Sequence, residues 1–315
     1  MFGVFPLAVR KGHVIEPALE LKQRTAPRLR SLIVTLWGDA LLPYGGCVWM
    51  GCLPKLLTPL GFDENSVRVA VQRLVAEGWL TSQTEGRRRN LCITDANRAE
   101  TMRVQSLVYC DAVPDWNGTW LLMRVAPETA ADREAVRRVL QQHGFAPFSP
   151  GVFVHPQAEW GNIKQIPAIK RYKNAITTVF EASELSDRAE LVDLWDTEAM
   201  AARWRQIDQY LDMTRCAGSP SNALGCRLLL VHEVRRLVLA YPSLPAIHLP
   251  AGWPEDSVRR RFCAVYRELF EAAQDFLDSH VVLSDRTRPH WHGFEPPRFG
   301  RDDFVAEARQ TPSRA

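Results

Sequence analysis

Between Pro27 and Ile93 apolar residues recur at helical spacing three times and then switch to strand-like alternation. The stretch "PRLRSLIVTLWGDAL" predicts a helix with proline in its first turn. "CLPKLLTPLGF" predicts a shorter helix that starts near Gly51, where Pro54 is tolerated, and is stopped by Pro59 and Gly61. A third helix is expected to start at an Asp63 cap, with Glu64 in its first turn, and to stop at Gly78. Val67, Ala70, Val71, Leu74 and Val75 form its apolar face. Asn65, Ser66, Arg68, Val69, Gln72 and Arg73 fall on the other side. The chain then alternates through Leu80, Ser82 and Thr84, turns at Glu85-Gly86, and returns through Leu91 and Ile93. That is a β-hairpin pattern, and its tip carries Arg87, Arg88 and Arg89.

Three short helices followed by a hairpin predict a winged helix-turn-helix. In that geometry the third helix enters the major groove of double-stranded DNA. Asn, Gln and Arg are the side chains able to make paired hydrogen bonds to base edges there. The tip arginines would reach phosphates or the minor groove. A charged outer face also serves solvation alone, so the helix by itself decides nothing. The order of helix, stop and basic hairpin favours a surface that reads DNA.

After a connecting stretch, "VPDWNG" marks a boundary. A strand is expected over Thr119–Val125 and a helix over Asp132–Gln142, ended by Gly144. Phe145–Phe148 and Gly151–His155 read as a hairpin about Ser149-Pro150. A helix near Ile163–Tyr172 and a strand near Ala175–Phe180 complete a β-α-β-β-α-β order, which is ferredoxin-like. Beyond Leu191 the pattern is helical, with one stripe at Met200, Trp204, Ile207 and Leu211 and another at Val258, Phe262, Val265, Leu269, Ala273 and Phe276. Between them, "NALGCRLLLVHEVRRLVLAY" is apolar nearly all round and predicts a buried helix. On its helical wheel Arg235 falls in the middle of an apolar face, which predicts a buried guanidinium needing a partner. The expected class is α+β, with boundaries at 1–26 (tail), 27–97 (winged helix), 98–115 (connecting helix and linker), 116–190 (ferredoxin-like), 191–284 (helical) and 285–315 (disordered tail). His290 and His292 fall in that last segment without a partner motif for a metal.

The formal net charge of +3 over 315 residues makes the chain no polycation, so any nucleic-acid affinity comes from local basic patches. Its seven cysteines include no C-x-x-C pair and read as reduced thiols of a cytoplasmic protein, not as a disulfide framework or zinc site. The first residues place Arg10 and Lys11 after an apolar stretch, the reverse of a signal peptide. No run approaches the ~20 apolar residues of a membrane span. No catalytic constellation, phosphate-binding glycine loop, dinucleotide fingerprint or cofactor motif occurs, so no enzyme activity is expected.

"SLIVTLWGDALLPYGG", "LLTPLGFDENSVRVAVQRLVAEGWL" and "GRRRNLCIT" resemble the N-terminal domain of the PaaX family, transcriptional repressors of phenylacetate degradation. The similarity continues through "WLLMRVAPETAADREAVRRVLQQHGFAPFSPGVFVHP" and "LLVHEVRRLVLAYPSLPAIHLPAGWP", and so spans about residues 27 to 280. The resemblance implies a cytoplasmic homodimeric repressor that leaves its operator on binding an aryl-CoA thioester such as phenylacetyl-CoA. It also implies a middle domain like that of the CRISPR-associated nuclease Cas2, which would carry a metal-holding Asp at the end of its first strand. Here that strand ends Met123-Arg124-Val125, which disfavours a nuclease. Response to a different aryl-CoA or to an aromatic acid is the nearer alternative. For the anionic part of such an effector the cationic candidates are Arg124, His155, His232, Arg235 and Arg236, expected where the middle and helical domains meet.

Overall fold

The computed structural model describes residues 16–300 apart from 114, 157–159, 165, 184–193, 215–216 and 247–248, together with two short strands nearer the amino terminus, Val9–Arg10 and His13–Val14. It divides into two compact units. One comprises residues 1–109, 207–233 and 261–315, the other 110–206 and 234–260.

The first unit contains the predicted helices and hairpin. Its helices are α1 (Pro17–Thr25), α2 (Leu29–Leu36), α3 (Leu53–Leu57), α4 (Glu64–Ala76) and α5 (Asp95–Val108). A three-stranded antiparallel sheet of order β1-β3-β2 is built from β1 (Cys47–Trp49), β2 (Leu80–Glu85) and β3 (Arg88–Ile93). The amphipathic pattern of α4 explains its seat: Val67, Ala70, Val71 and Leu74 are all buried. Helix α2 passes at Trp37 into a π-helical turn that ends at Leu41 and holds Asp39 in the core.

Three sequence expectations fail in this unit. Residues 17–25 are helix, not tail, because Ala18 and Leu21 are fully buried and the Ala18 N–H donates to Asn222 Oδ1 at 2.9 Å. A Cβ at Gly225 would lie 2.8 Å from Ala18 Cβ, so glycine is what admits α1 this close. Cys47 and Cys92 are not thiols: they sit opposite each other in the β1–β3 pairing and are disulfide-bonded. Forty-five residues separate them, so no short cysteine spacing announces the pair. Cys52, Cys110, Cys226 and Cys263 are not disulfide-bonded, and Cys216 lies outside the described residues. Nor is 285–300 a loose tail. Arg298 and Phe299 are each 1% exposed, and the His292 N–H donates to Pro43 O at 2.7 Å. Residues 301–315 lie outside the described residues.

What buries Arg298 is Asp39. The carboxylate accepts from Tyr109 Oη at 2.7 Å, Tyr266 Oη at 2.8 Å, Arg227 Nε at 2.8 Å and Arg298 Nη1 at 2.9 Å. Its carbonyl accepts from Arg298 Nη2 at 2.6 Å and Arg227 Nη2 at 3.3 Å. The Arg298 guanidinium also lies over the Phe294 and Tyr109 rings, at 3.6 and 4.0 Å from their centroids. Burial pushes the Tyr109 phenol well above its usual value, so it stays a donor to Asp39.

In the second unit, β4 (Trp120–Val125), α6 (Ala130–Gln142), β5 (Ala146–Ser149), β6 (Val152–His155), two single-turn helices α7 (Trp160–Ile163) and α8 (Pro167–Lys170), and β7 (Ile176–Ala182) follow the expected order, except that α7 and α8 stand in place of the one helix expected near Ile163–Tyr172. The sheet order β5-β6-β4-β7 is antiparallel throughout and is the ferredoxin-like arrangement. Alternation along β4 sends Leu121, Met123 and Val125 to one face, with Val136, Leu140 and Phe153. Trp120 and Leu122 go to the other face and join Val154, Trp195, Met200 and Leu244.

Three long helices follow, α9 (Thr197–Met213), α10 (Pro220–Ala240) and α11 (Glu255–His280), and each contributes residues to both units. The buried arginine of α10 is Arg227, at 1% exposure; Arg235 is only half-buried. The wheel misplaces the charge because α10 has no single face: every residue from 222 to 234 is buried. Depth along the helix, not angle around it, decides which arginine is enclosed. Arg259 of α11 is a second buried cation missed by periodicity, paired to Glu255 Oε1 at 2.8 Å and lying over Trp204.

Candidate nucleic-acid interface

The α4 helix is capped as expected: the Asp63 carboxylate accepts from Ser66 N at 2.8 Å. The Ser66 hydroxyl also donates to Asp63, at 2.6 Å, so this side chain serves the cap rather than an outward contact. These bonds hold the Asp63 carboxyl below its ordinary range. With Val67, Ala70, Val71 and Leu74 turned inward, Asn65, Arg68, Val69, Gln72 and Arg73 are exposed together. Their spacing of three, four, seven and eight residues is one helical stripe. Val69 is one of few large apolar side chains left exposed among the described residues, at 40%. Beside polar readers such a group suits a thymine methyl. Arg68 is ion-paired to Glu64 one turn back, and both are exposed. An exposed pair of this kind holds by about 0–1 kcal/mol, so Arg68 can leave it for a base.

The hairpin tip is narrower than expected. Glu85 pairs with Arg88, which leaves Gly86 and Arg87 as the turn, with Gly86 at φ 60°. Arg87 and Arg89 are exposed. Arg88 is not part of a phosphate-facing tip: its Nη1 donates to Ser284 O at 2.8 Å, and its guanidinium lies over the Trp49 ring. On the same strand face the Asn90 side chain donates to Ser284 Oγ and accepts from Ser284 N. Replacing Arg87 and Arg89 by alanine is therefore expected to flatten the salt dependence of DNA binding by about two units of log K per log salt. Arg88→Ala should leave the slope unchanged and lower the melting temperature. A slope change in Arg88→Ala equal to that of either neighbour would contradict this division.

The five cationic effector candidates do not assemble. Arg124 is exposed opposite Val152, while His155 stands opposite Leu121, three residues along β4 and on the other face of the sheet. The His155 ring packs on Phe145 at 5.0 Å. His232 is buried with its Nδ1 2.9 Å from the Thr35 hydroxyl, so it is a core residue. Arg235 is half-buried and Arg236 exposed on α10. The sheet face toward the helical segments of this unit is filled instead by tryptophans: Trp120 stacks with Trp195 at 6.2 Å and meets Trp116 edge-on at 5.4 Å. Where β4 ends, Arg124, Val125, Ala126 and Pro127 offer no carboxylate. Among the described residues no cluster of His, Cys, Asp or Glu could hold a metal ion, and no helix is long and apolar enough to cross a membrane.

Comparison with known proteins accounts for nearly the whole chain. Residues 28–96 match the PaaX-like protein family model, 113–192 the PaaX protein central Cas2-like domain, and 195–279 the PaaX-like protein C-terminal domain. The transcriptional repressor PaaX of Escherichia coli (strain K12) is 30% identical over 291 residues, covering 88% of this chain and 92% of its own. The chain belongs to the PaaX family. Membership in the PaaX family makes it a regulator of transcription and not an enzyme. A solved structure, uncharacterized protein Rv0674 from Mycobacterium tuberculosis, is similar at a TM-score of 0.49 and 20% identity, covering 78% of this chain and 97% of that one.

Proposed function

We propose that this PaaX-family protein is a cytoplasmic, homodimeric repressor of an aromatic-acid catabolic operon, that of phenylacetate first. It holds double-stranded operator DNA through α4 and the wing. An aryl-CoA effector such as phenylacetyl-CoA releases it. The observation that carries the DNA reading is the exposed stripe Asn65, Arg68, Val69, Gln72 and Arg73 on a capped helix beside an exposed basic turn. Release by a ligand requires that the ligand bind the DNA-incompetent state more tightly than the competent one.

Binding to the operator upstream of the chain's own target genes, compared with random duplex, tests the reading. Arg68→Ala is expected to cost about 1–3 kcal/mol on operator and to relax preference at one base pair. Equal losses on operator and random DNA would make Arg68 a phosphate anchor instead. Titrating the operator complex with phenylacetyl-CoA, other aryl-CoA thioesters and free aromatic acids then identifies the effector, and a complex indifferent to all of them ends the release reading.

A further inference from the structure

A cleft of about 630 Å³ opens in the second unit beyond the end of β4, between α6 and the β5–β6 turn. Its floor is apolar, formed by Val125, Val136 and Phe153, which are 6%, 2% and 7% exposed. Phe148 and Pro150 form one wall, and Phe148 is left 43% exposed. Arg133 and Arg137, one turn apart on α6, line the opposite wall and are exposed. The neighbouring Arg138 faces Glu134, but no carboxylate among the described residues pairs with Arg133 or Arg137. The turn that shapes the cleft is held in place: Val125 N donates to Gly151 O at 2.7 Å, and a Cβ on Gly151, at φ 75°, would lie 3.0 Å from Val125 O.

We infer that this cleft is a ligand site for an aryl group joined to an anion, the aryl group lying against Phe148 and Phe153 and the anion on Arg133 and Arg137. An exposed phenylalanine over an apolar floor gains by being covered. Two unpaired guanidinium forks facing it select a carboxylate or phosphate over a neutral ligand. The volume lies within the roughly 300–1,000 Å³ of small-molecule sites. It suits an aryl-acyl group with its neutral carrier arm, leaving the adenosine outside and the nucleotide's phosphates at the rim, where Arg133 and Arg137 are exposed. The inference rests on the proposed effector reading and gives the anion to residues other than Arg124, His155, His232, Arg235 and Arg236, none of which lines the cleft.

Calorimetric titration of the full chain with phenylacetyl-CoA, coenzyme A and phenylacetate tests it. The thioester is expected to bind the unchanged protein. Its Kd should rise at least tenfold in the Arg133→Ala/Arg137→Ala double variant and in Ser149→Trp, which fills the cleft from an exposed position without touching either cation. Both should still bind operator. Should one variant fail to fold, the other decides. Phe148→Ala should weaken the thioester and leave coenzyme A unaffected; an equal effect on both removes the aryl assignment. Binding of phenylacetate that depends on the arginines puts a carboxylate there, and binding of the thioester alone puts phosphate there. If the thioester binds both variants within twofold of the unchanged protein, the site is elsewhere and the effector reading stands. If none of the three binds the unchanged protein, the effector reading and this site fall together.

Discussion

Asp39→Ala is expected to cost about 3–5 kcal/mol of folding free energy, read as a drop in the denaturant midpoint. The loss follows from charge balance. One carboxylate faces the two buried guanidinium groups of Arg227 and Arg298, both 1% exposed. Without it, two cations stay in the core with no anion, met by the backbone carbonyl of residue 39 and by aromatic faces, Tyr266 and Phe270 for Arg227 and chiefly Phe294 and Tyr109 for Arg298. Arg298→Ala should cost less, because it leaves one carboxylate with one guanidinium. It removes two charge-assisted hydrogen bonds together with the charge that made them, and leaves no guanidinium without an anion. Measured side by side, a larger loss in Arg298→Ala would mean that packing of the 294–299 segment, not charge, governs this core.

The second large effect belongs to the other unit. Trp120→Ala should destabilise by about 3–5 kcal/mol, since the ring is 1% exposed and wedged between Trp116 and Trp195. Phe180, opposite Leu122 on the edge strand and 44% exposed, provides the control. Phe180→Ala should stay within about 0.5 kcal/mol. Comparable losses at the two positions would refute the assignment of a sealed core to this face. From sequence the ligand is expected where the middle and helical domains meet; on this face of the sheet tryptophans fill the space.

Local chemistry was readable and distant pairing was not. The Asp63 cap, the inward stripe of α4 and the Gly78 stop all sit within one short stretch, residues 63–78, so a single window of the chain shows them together. The same holds for the alternation of β4 and, to within one residue, for the hairpin turn expected at Ser149-Pro150 and found at Pro150-Gly151. Asp39 and Arg298 are 259 residues apart, and Cys47 and Cys92 are 45 apart. Nothing local marks Asp39 as more than one polar residue on an apolar helix. Proline and charge in 285–300 suggested a chain with no core to join, yet Arg298 is drawn in by a carboxylate that composition cannot locate. On the candidate interface, residue types were legible, but not their partners. Arg88 reads as a third tip arginine until Ser284 is seen beneath it.

The hold of the 282–298 segment on the small sheet and on Asp39 bears on how this protein can be dissected. Trp49 N–H donates to Val282 O, Arg88 and Asn90 meet Ser284, and Arg298 meets Asp39. Along the chain, residues 27–97 look like a cassette that could be cut out and fused to another sensor. In space the cassette is unfinished, because one cation of its core comes from α10 and another from near residue 300. A fusion carrying 27–97 alone inherits Asp39 without either arginine. A transplantable reader has to take 207–233 and 261–300 with it, and a screen for minimal DNA-binding fragments made by trimming from the carboxyl end should fail well before it reaches the hairpin.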